Sequence, residues 1–324
     1  MPESSPHPID DILQKVLDAV PFQLSVAGGV HQARRALRDL PRRPLHPELR
    51  VRDIVIEHSG GGIPARVYWP EHSAPRPLPV TVFFHGGGFA LGDLDTHDLI
   101  VRQHAVGANS VVVSIDYRLA PEHPFPAAVE DAWAATVWVA ENAEQFGADG
   151  TRFAVAGDSA GGNLAAVVAQ LARDAGGPSI AMQLLWYPAL MWDTSLPSFR
   201  ANANAPVLDA ATIAGFSSWY AGHLDISVSP DQLPATLAPG QAADLTGLAP
   251  AYIAVAGHDP LCDDGVEYAR RLTAAGVPVT VDRAETLVHG YLGFAGVVPT
   301  VTAATNRGLA ALRAALYRDA VTRK

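Results

Sequence analysis

The chain has 324 residues, 48% hydrophobic and 17% charged, with Lys+Arg 23 against Asp+Glu 33 and a formal net charge of -10. This composition suits a large buried core and is too apolar for a disordered chain, while the negative balance repels phosphate backbones and anionic lipid surfaces and so argues against nucleic acid as a partner. A single cysteine, Cys262, excludes an internal disulfide and a cysteine-based zinc site, and no uncharged apolar run approaches the ~18 residues that a stable membrane insertion needs.

The opening residues MPESSPHPIDD lack the basic-then-apolar pattern of a secretory leader. With the lone cysteine, this makes a cytoplasmic location the expectation. Ile9, Leu13, Val16, Leu17 and Val20 recur at helical spacing, and a second helical stretch runs from about Val30 to Leu40 before PRRPLHP breaks it. Residues 1–50 therefore read as an N-terminal helical segment ahead of the main fold. Its basic residues Arg34, Arg35, Arg38, Arg42 and Arg43 read as a solvated helix face.

From Val51 the period changes to two: VRDIVIEH alternates, GGI turns the chain and ARVYW continues, as in an antiparallel hairpin. Gly60-Gly61-Gly62 with Ala65 fits the dinucleotide fingerprint, but Pro64 and the strand-like ARVYW leave no helix N-terminus for a pyrophosphate. A turn is expected there, without a cofactor.

Short runs apolar on both faces follow at 80–84, 111–116, 153–157, 182–187, 251–257 and 277–282, separated by helix-length segments such as Ala127 to Phe146. That alternation predicts an α/β fold with a mostly parallel central sheet flanked by helices, occupying 51–324 as one catalytic domain. Over sixty residues lie between Tyr187 and Ala251, with one clear helix around Ala210 to Tyr220. A structureless loop of that length is uncommon in a compact domain. An insertion at about 188–225 is expected to form a helical cap with the N-terminal helices over one edge of the sheet.

The strongest chemical signal is FAVAG-Asp158-Ser159-Ala160-Gly161-Gly162, where G-x-S-x-G lies between an apolar strand and a strongly helical run. A serine on such a turn stands exposed at the carboxyl edge of the sheet, beside a helix N-terminus that favours negative charge. The second signal, VTVFF-His85-Gly86-Gly87-Gly88-Phe89, also ends an apolar strand, and consecutive glycines let backbone N–H groups approach a substrate closely.

A serine hydroxyl needs an imidazole to take its proton, and the imidazole a carboxylate to fix its tautomer. Asp259 stands just past the strand AYIAVAG, after His258, and His289 is the one histidine after it. Asp263 and Asp264 stand close by as competitors for the acid, but they open the next helix and suit its N-terminal dipole. His85 is expected to brace the glycine loop, and Asp158 to bond locally. Asp116, Arg118 and Glu122 are expected in structural salt bridges, and Cys262 as a buried inert thiol.

Taken together, HGGG at His85 to Gly88, GDSAGG at Gly157 to Gly162, DPL at Asp259 to Leu261 and HG at His289 to Gly290 resemble the bacterial hormone-sensitive-lipase-like esterases, a family of α/β-hydrolases. YRLAPEHPFPAAVED from Tyr117 to Asp131 extends the resemblance over nearly the whole chain. The resemblance implies an α/β-hydrolase fold, a triad of Ser159, Asp259 and His289, and an oxyanion hole from the backbone N–H groups of Gly87, Gly88 and Ala160. It also implies a lid built from the N-terminal helices and the 188–225 region. The stretch 229–248 looks longer and richer in proline than its family counterpart, which bears on the lid edge and substrate fit.

The expected function is a serine carboxylesterase acting through an acyl-enzyme on short- to medium-chain esters, with no cofactor and no metal. The alternatives are a lactonase or amidase using the same triad, or a non-catalytic small-molecule receptor on the same fold. The lid aromatics Trp192, Phe199, Phe216, Trp219 and Tyr220 are broken up by polar residues and read as pocket walls rather than an interfacial surface. A small-molecule ester is the expected partner, and a homodimer stays open.

Overall fold

The computed structural model describes residues 7–42, 45–58, 60–70 and 77–318. The opening residues 1–6 and Arg43 lie outside them. The strands β1 (Val51–Ile56) and β2 (Ile63–Tyr68) pair antiparallel, with the three glycines in the turn between them. β2 pairs antiparallel with β4 (Val111–Ile115). From there the sheet is parallel through β3 (Leu78–Phe84), β5 (Ala148–Asp158), β6 (Ile180–Trp186), β7 (Ala251–His258) and β8 (Val279–Val288). Among the described residues the order is β1-β2-β4-β3-β5-β6-β7-β8.

Every residue of LPVTVFF and VVVSI is buried, as parallel strands covered on both faces require. Side chains alternate between two cores: Phe153 and Val155 pack with α4 (Ala127–Asn142), α5 (Ala160–Ala175) and α8 (Cys262–Ala274), while Ala154 and Ala156 pack with α3 (Asp98–Ala108) and α9 (Pro299–Leu316). Register aligns the strand ends. Phe84 lies opposite Gly157, and His258 opposite Val288, so the chain leaves β3, β5, β7 and β8 at one edge, where α/β sheets place their sites.

Over that edge lie α1 (Asp11–Ala19), α2 (Gly29–Arg38), α6 (Pro197–Ala201) and α7 (Ala210–Ala221). Asp10 caps α1 by accepting from the N–H groups of Ile12 and Leu13. The two segments are joined: Leu24 N–H donates to Val207 O at 2.9 Å, and Thr212 Oγ1 to Leu24 O at 2.8 Å. The short α6 supplements the one helix expected between β6 and β7.

The 229–248 stretch is fastened along α5 and to the Leu190–Met191 turn, where Gly240 N–H donates to Leu190 O and Gln241 Nε2 to Met191 O. Asn163 Nδ2 donates to Leu237 O, Gln170 Nε2 to Pro239 O, and Arg173 Nη1 to Asp244 O and Thr246 O. Its carbonyls thus find donors along α5, which holds it on the flank of the sheet.

Behind the site, His104 is buried among apolar residues, with Nδ1 donating to Ile100 O at 2.8 Å and Nε2 accepting from Trp186 Nε1 at 2.9 Å. Burial pushes its imidazole down to about 4. The unfolded chain therefore takes up this proton at higher pH than the native one, and stability is lost as pH falls from about 6.5 towards 4. A His104→Phe variant is destabilised at neutral pH, and its deficit against the wild type narrows by about 2 kcal/mol between roughly pH 7.5 and 4.5. Urea denaturation of both chains at the two pH values measures this; a constant deficit contradicts it.

Candidate active site

Ser159 sits between β5 and α5 with φ 55° and ψ -116°, outside the regions a non-glycine residue prefers. The turn closes so tightly that a Cβ at Gly161 would lie 2.0 Å from Phe84 O, and one at Gly157 2.2 Å from Gly161 O. Only glycine fits at either place, which is the physical content of the pentapeptide. Ser159 N–H donates to Trp186 O at 2.8 Å, pinning the turn to the end of β6.

The structure brings the three sequence-predicted side chains together. Ser159 Oγ lies 2.9 Å from His289 Nε2, and His289 Nδ1 lies 2.7 Å from Asp259 Oδ2. Asp259 is fully buried, and its other oxygen accepts from Leu261 N–H at 2.8 Å. Tyr187, which sequence reasoning passed over, packs edge-on against the His289 ring at a centroid distance of 4.8 Å. Its place at the end of β6, on the same edge as the others, is the signal that marks it.

Gly87 and Gly88 have φ of 117° and 61° and line the cavity with Ala160, the first residue of α5. Among the described residues their N–H groups donate to nothing. The loop is held from beneath: Gly86 N–H donates to Asp158 Oδ1 at 2.9 Å, His85 Nδ1 to Gly86 O at 2.8 Å, and Tyr117 stacks on His85 while its hydroxyl donates to His85 O at 2.6 Å. Burial, with His97 adding to it, pushes the His85 imidazole down to about 4, so it stays neutral. Burial favours the protonated form of Asp158, but His97, 3.6 Å away, and His85 bring its carboxyl below the ordinary range.

Two expectations about charges need correction. Arg34 is not on a solvated face: it donates from Nε to Ala90 O and from Nη2 to Ala120 O, and pairs through both terminal nitrogens with Glu122. It thereby ties α2 to the far side of the glycine loop. Arg42 also turns inward, donating to the carbonyls of Thr96, Arg38, Leu40 and Leu37. Asp116, expected in a salt bridge, has no Lys or Arg partner among the described residues; it lies 3.9 Å from the neutral His85. Burial, with Asp93 and Asp95 adding to it, raises its carboxyl to about 6. Arg118 pairs with Asp131 at 2.8 Å, and Cys262 is buried, its thiol pushed up to about 12.

Above Ser159 opens a cavity of about 600 Å³, walled by both helical segments. Leu17, Phe22 and Leu37 come from the N-terminal side, and Trp192, Phe199 and Phe216 from the 188–225 side. Of the five aromatics expected as walls, Trp219 and Tyr220 do not line it; Tyr220 instead stacks on Phe89 at 3.9 Å, behind the glycine loop.

The competing carboxylates do other work. Both stand in the first turn of α8, as expected, but each serves a different segment. Asp263 Oδ2 accepts from Ser198 N–H at the start of α6, and Asp264 Oδ2 from the N–H groups of Leu190 and Met191. Neither is hydrogen-bonded to His289.

A family model described as the alpha/beta hydrolase fold matches residues 81–293. The chain is 63% identical over 310 residues to esterase LipI of Mycobacterium tuberculosis, covering 95% of this chain and 96% of that one. It is 56% identical over 311 residues to carboxylesterase NlhH of the same organism, covering 95% and 97%. The solved structure of a hyperthermophilic esterase from the archaeon Pyrobaculum calidifontis superposes with a TM-score of 0.85 at 39% identity, covering 95% and 99%. No helix among the described residues is long and apolar enough to cross a membrane. On these matches the chain belongs to the α/β-hydrolase fold family and, among the bacterial hormone-sensitive-lipase-like esterases, is a carboxylic ester hydrolase.

Proposed function

We propose that Ser159, His289 and Asp259 form the catalytic triad of a carboxylesterase that works through an acyl-enzyme on short- to medium-chain esters. The observation that carries this is the unbroken hydrogen-bonded chain, 2.7 Å and 2.9 Å, ending on a serine at the cavity floor. In this reading Ser159 Oγ attacks the ester carbonyl carbon and passes its proton to His289 Nε2. The carbonyl π pair moves onto oxygen, which accepts from the N–H groups of Gly87, Gly88 and Ala160. Asp259 holds the proton on Nδ1 and balances the imidazolium. As the tetrahedral intermediate collapses, the C–O bond to the alcohol breaks and the departing oxygen takes the proton from Nε2. Water then repeats the sequence, with His289 as its base, and releases the acid and free Ser159.

The α1–α2 region and the 188–225 insertion serve as the cap. Its walls enclose a cavity of about 600 Å³, and the lid aromatics sit within those walls or behind them rather than on an exposed apolar face, which supports small esters as substrates over emulsified triglyceride. The charge of -10 supports the same preference and disfavours nucleic acid, and the single buried cysteine suits the cytoplasm. Across p-nitrophenyl esters of increasing acyl length, kcat/KM peaks at short to medium chains without a jump on droplet formation. A maximum at long chains, with activation at the droplet surface, would make the protein a true lipase.

A further inference from the structure

Asp264 is a buried carboxylate that the hydrolytic sequence does not use. It is 4% exposed, and it lines the cavity above Ser159 together with Leu261, Trp192, Asp193, Thr194 and Phe199. These residues are contiguous because α6 is fastened to the start of α8: Ser198 Oγ donates to Pro260 O at 2.8 Å and Ser198 N–H to Asp263. The carboxylate is also close to the nucleophile along the chain it holds. Leu190 and Met191 donate to Oδ2 at 2.7 and 2.8 Å, and their neighbour Ala189 donates from its N–H to Ser159 O at 3.3 Å.

The division of labour between the two oxygens is the informative part. Oδ2 accepts both backbone bonds, whereas Oδ1 has no partner among the described residues and keeps some accessible surface, in a residue that lines the cavity. Bracing the Leu190–Met191 turn needs one acceptor oxygen, which an asparagine supplies without burying a charge. A carboxylate instead presents a second acceptor to a cavity whose lining is mostly apolar. A hydroxyl meets that acceptor without the desolvation of a second charge that an ammonium group would add.

We infer that Asp264 is a specificity-determining residue whose free oxygen accepts a hydrogen bond from a hydroxyl carried at one end of the ester substrate, making hydroxylated esters the preferred class. The inference rests on the reading of Ser159 as nucleophile at the floor of the same cavity. Sites built to pair a substrate hydroxyl discriminate strongly against analogues that lack the donor, because their own polar group is then left unpaired.

The test uses isomers that differ only in donor capacity. On the alcohol side these are hydroxybutyl and methoxypropyl butyrate; on the acyl side, the ethyl esters of ω-hydroxypentanoic and methoxybutanoic acid. Assays run well above pH 7, because burial raises the Asp264 carboxyl to about 7 and the ionised form accepts without donating. The wild type favours the hydroxyl isomer in kcat/KM by about tenfold or more in one of the two pairs, and that pair identifies the end of the ester lying towards Asp264. Asp264→Asn keeps a carbonyl for Leu190 and Met191 but turns an amide NH2 to the cavity, so the ratio in that pair falls to parity or inverts. Reading the ratio within each variant cancels any general loss of activity or of folded protein. A wild-type ratio near one in both pairs, or an unchanged ratio in Asp264→Asn, overturns the inference. Failure of the nucleophile assignment is a different result, since Ser159→Ala would then still turn over both isomers.

Discussion

Ser159→Ala lowers kcat for a short-chain ester by about six orders of magnitude, as loss of a triad nucleophile does in serine hydrolases generally. The size of the effect follows from interdependence: without Oγ, His289 has no proton to take, and Asp259 has no imidazolium to balance. The fold is expected to survive. The side chain's one hydrogen bond is to His289, and the turn is held by the Ser159 N–H donating to Trp186 O and by the contacts at Gly157 and Gly161. Alanine occupies the same positive φ at a cost similar to serine. Thermal unfolding of the variant should therefore match the wild type within a few degrees while turnover disappears. Activity above a few per cent in a preparation free of host esterase would sink the assignment.

The sequence made some of these features legible and hid others, and the difference lies in how far away each residue's partners are. β3, β4 and β5 show as runs apolar on both faces because each residue's burial is set by its own strand. The elbow is visible because G-x-S-x-G carries its whole steric requirement within five residues. Asp259 and His289 were reachable because chain order and strand ends restrict the choice.

Arg34 was not, since its partners Ala90 and Glu122 are 56 and 88 positions away and a helix with three arginines, followed by two more, looks like a solvated face. Asp264 was hidden in the same way, taking donors 74 and 73 residues distant while standing at a helix start, where an acidic residue needs no other account. Tyr220 has a different cause. Periodicity places it on α7 but does not say whether its ring faces the cavity or Phe89.

Asp259→Asn should cost about four orders of magnitude in kcat, the loss seen when a triad carboxylate is replaced by its amide. The geometry says why the isosteric change is so severe. Leu261 N–H needs an acceptor and holds the Oδ1 position, so the asparagine carbonyl stays there and its NH2 faces His289. An amide donor opposite Nδ1 makes that nitrogen an acceptor and moves the ring proton to Nε2. The imidazole then presents N–H to Ser159 Oγ, where a lone pair is required. Asp263→Asn retains an oxygen for Ser198 N–H and should lose little, since its carboxylate is not hydrogen-bonded to His289. Asp264→Asn acts chiefly on the choice between donor and acceptor isomers, because its bonds to Leu190 and Met191 are kept. Single-turnover measurements on the three variants, with folding checked by circular dichroism, rank them by their reach to the imidazole. If Asp263→Asn or Asp264→Asn proves the more damaging to the chemical step, the orienting acid is that residue and Asp259 is a structural carboxylate.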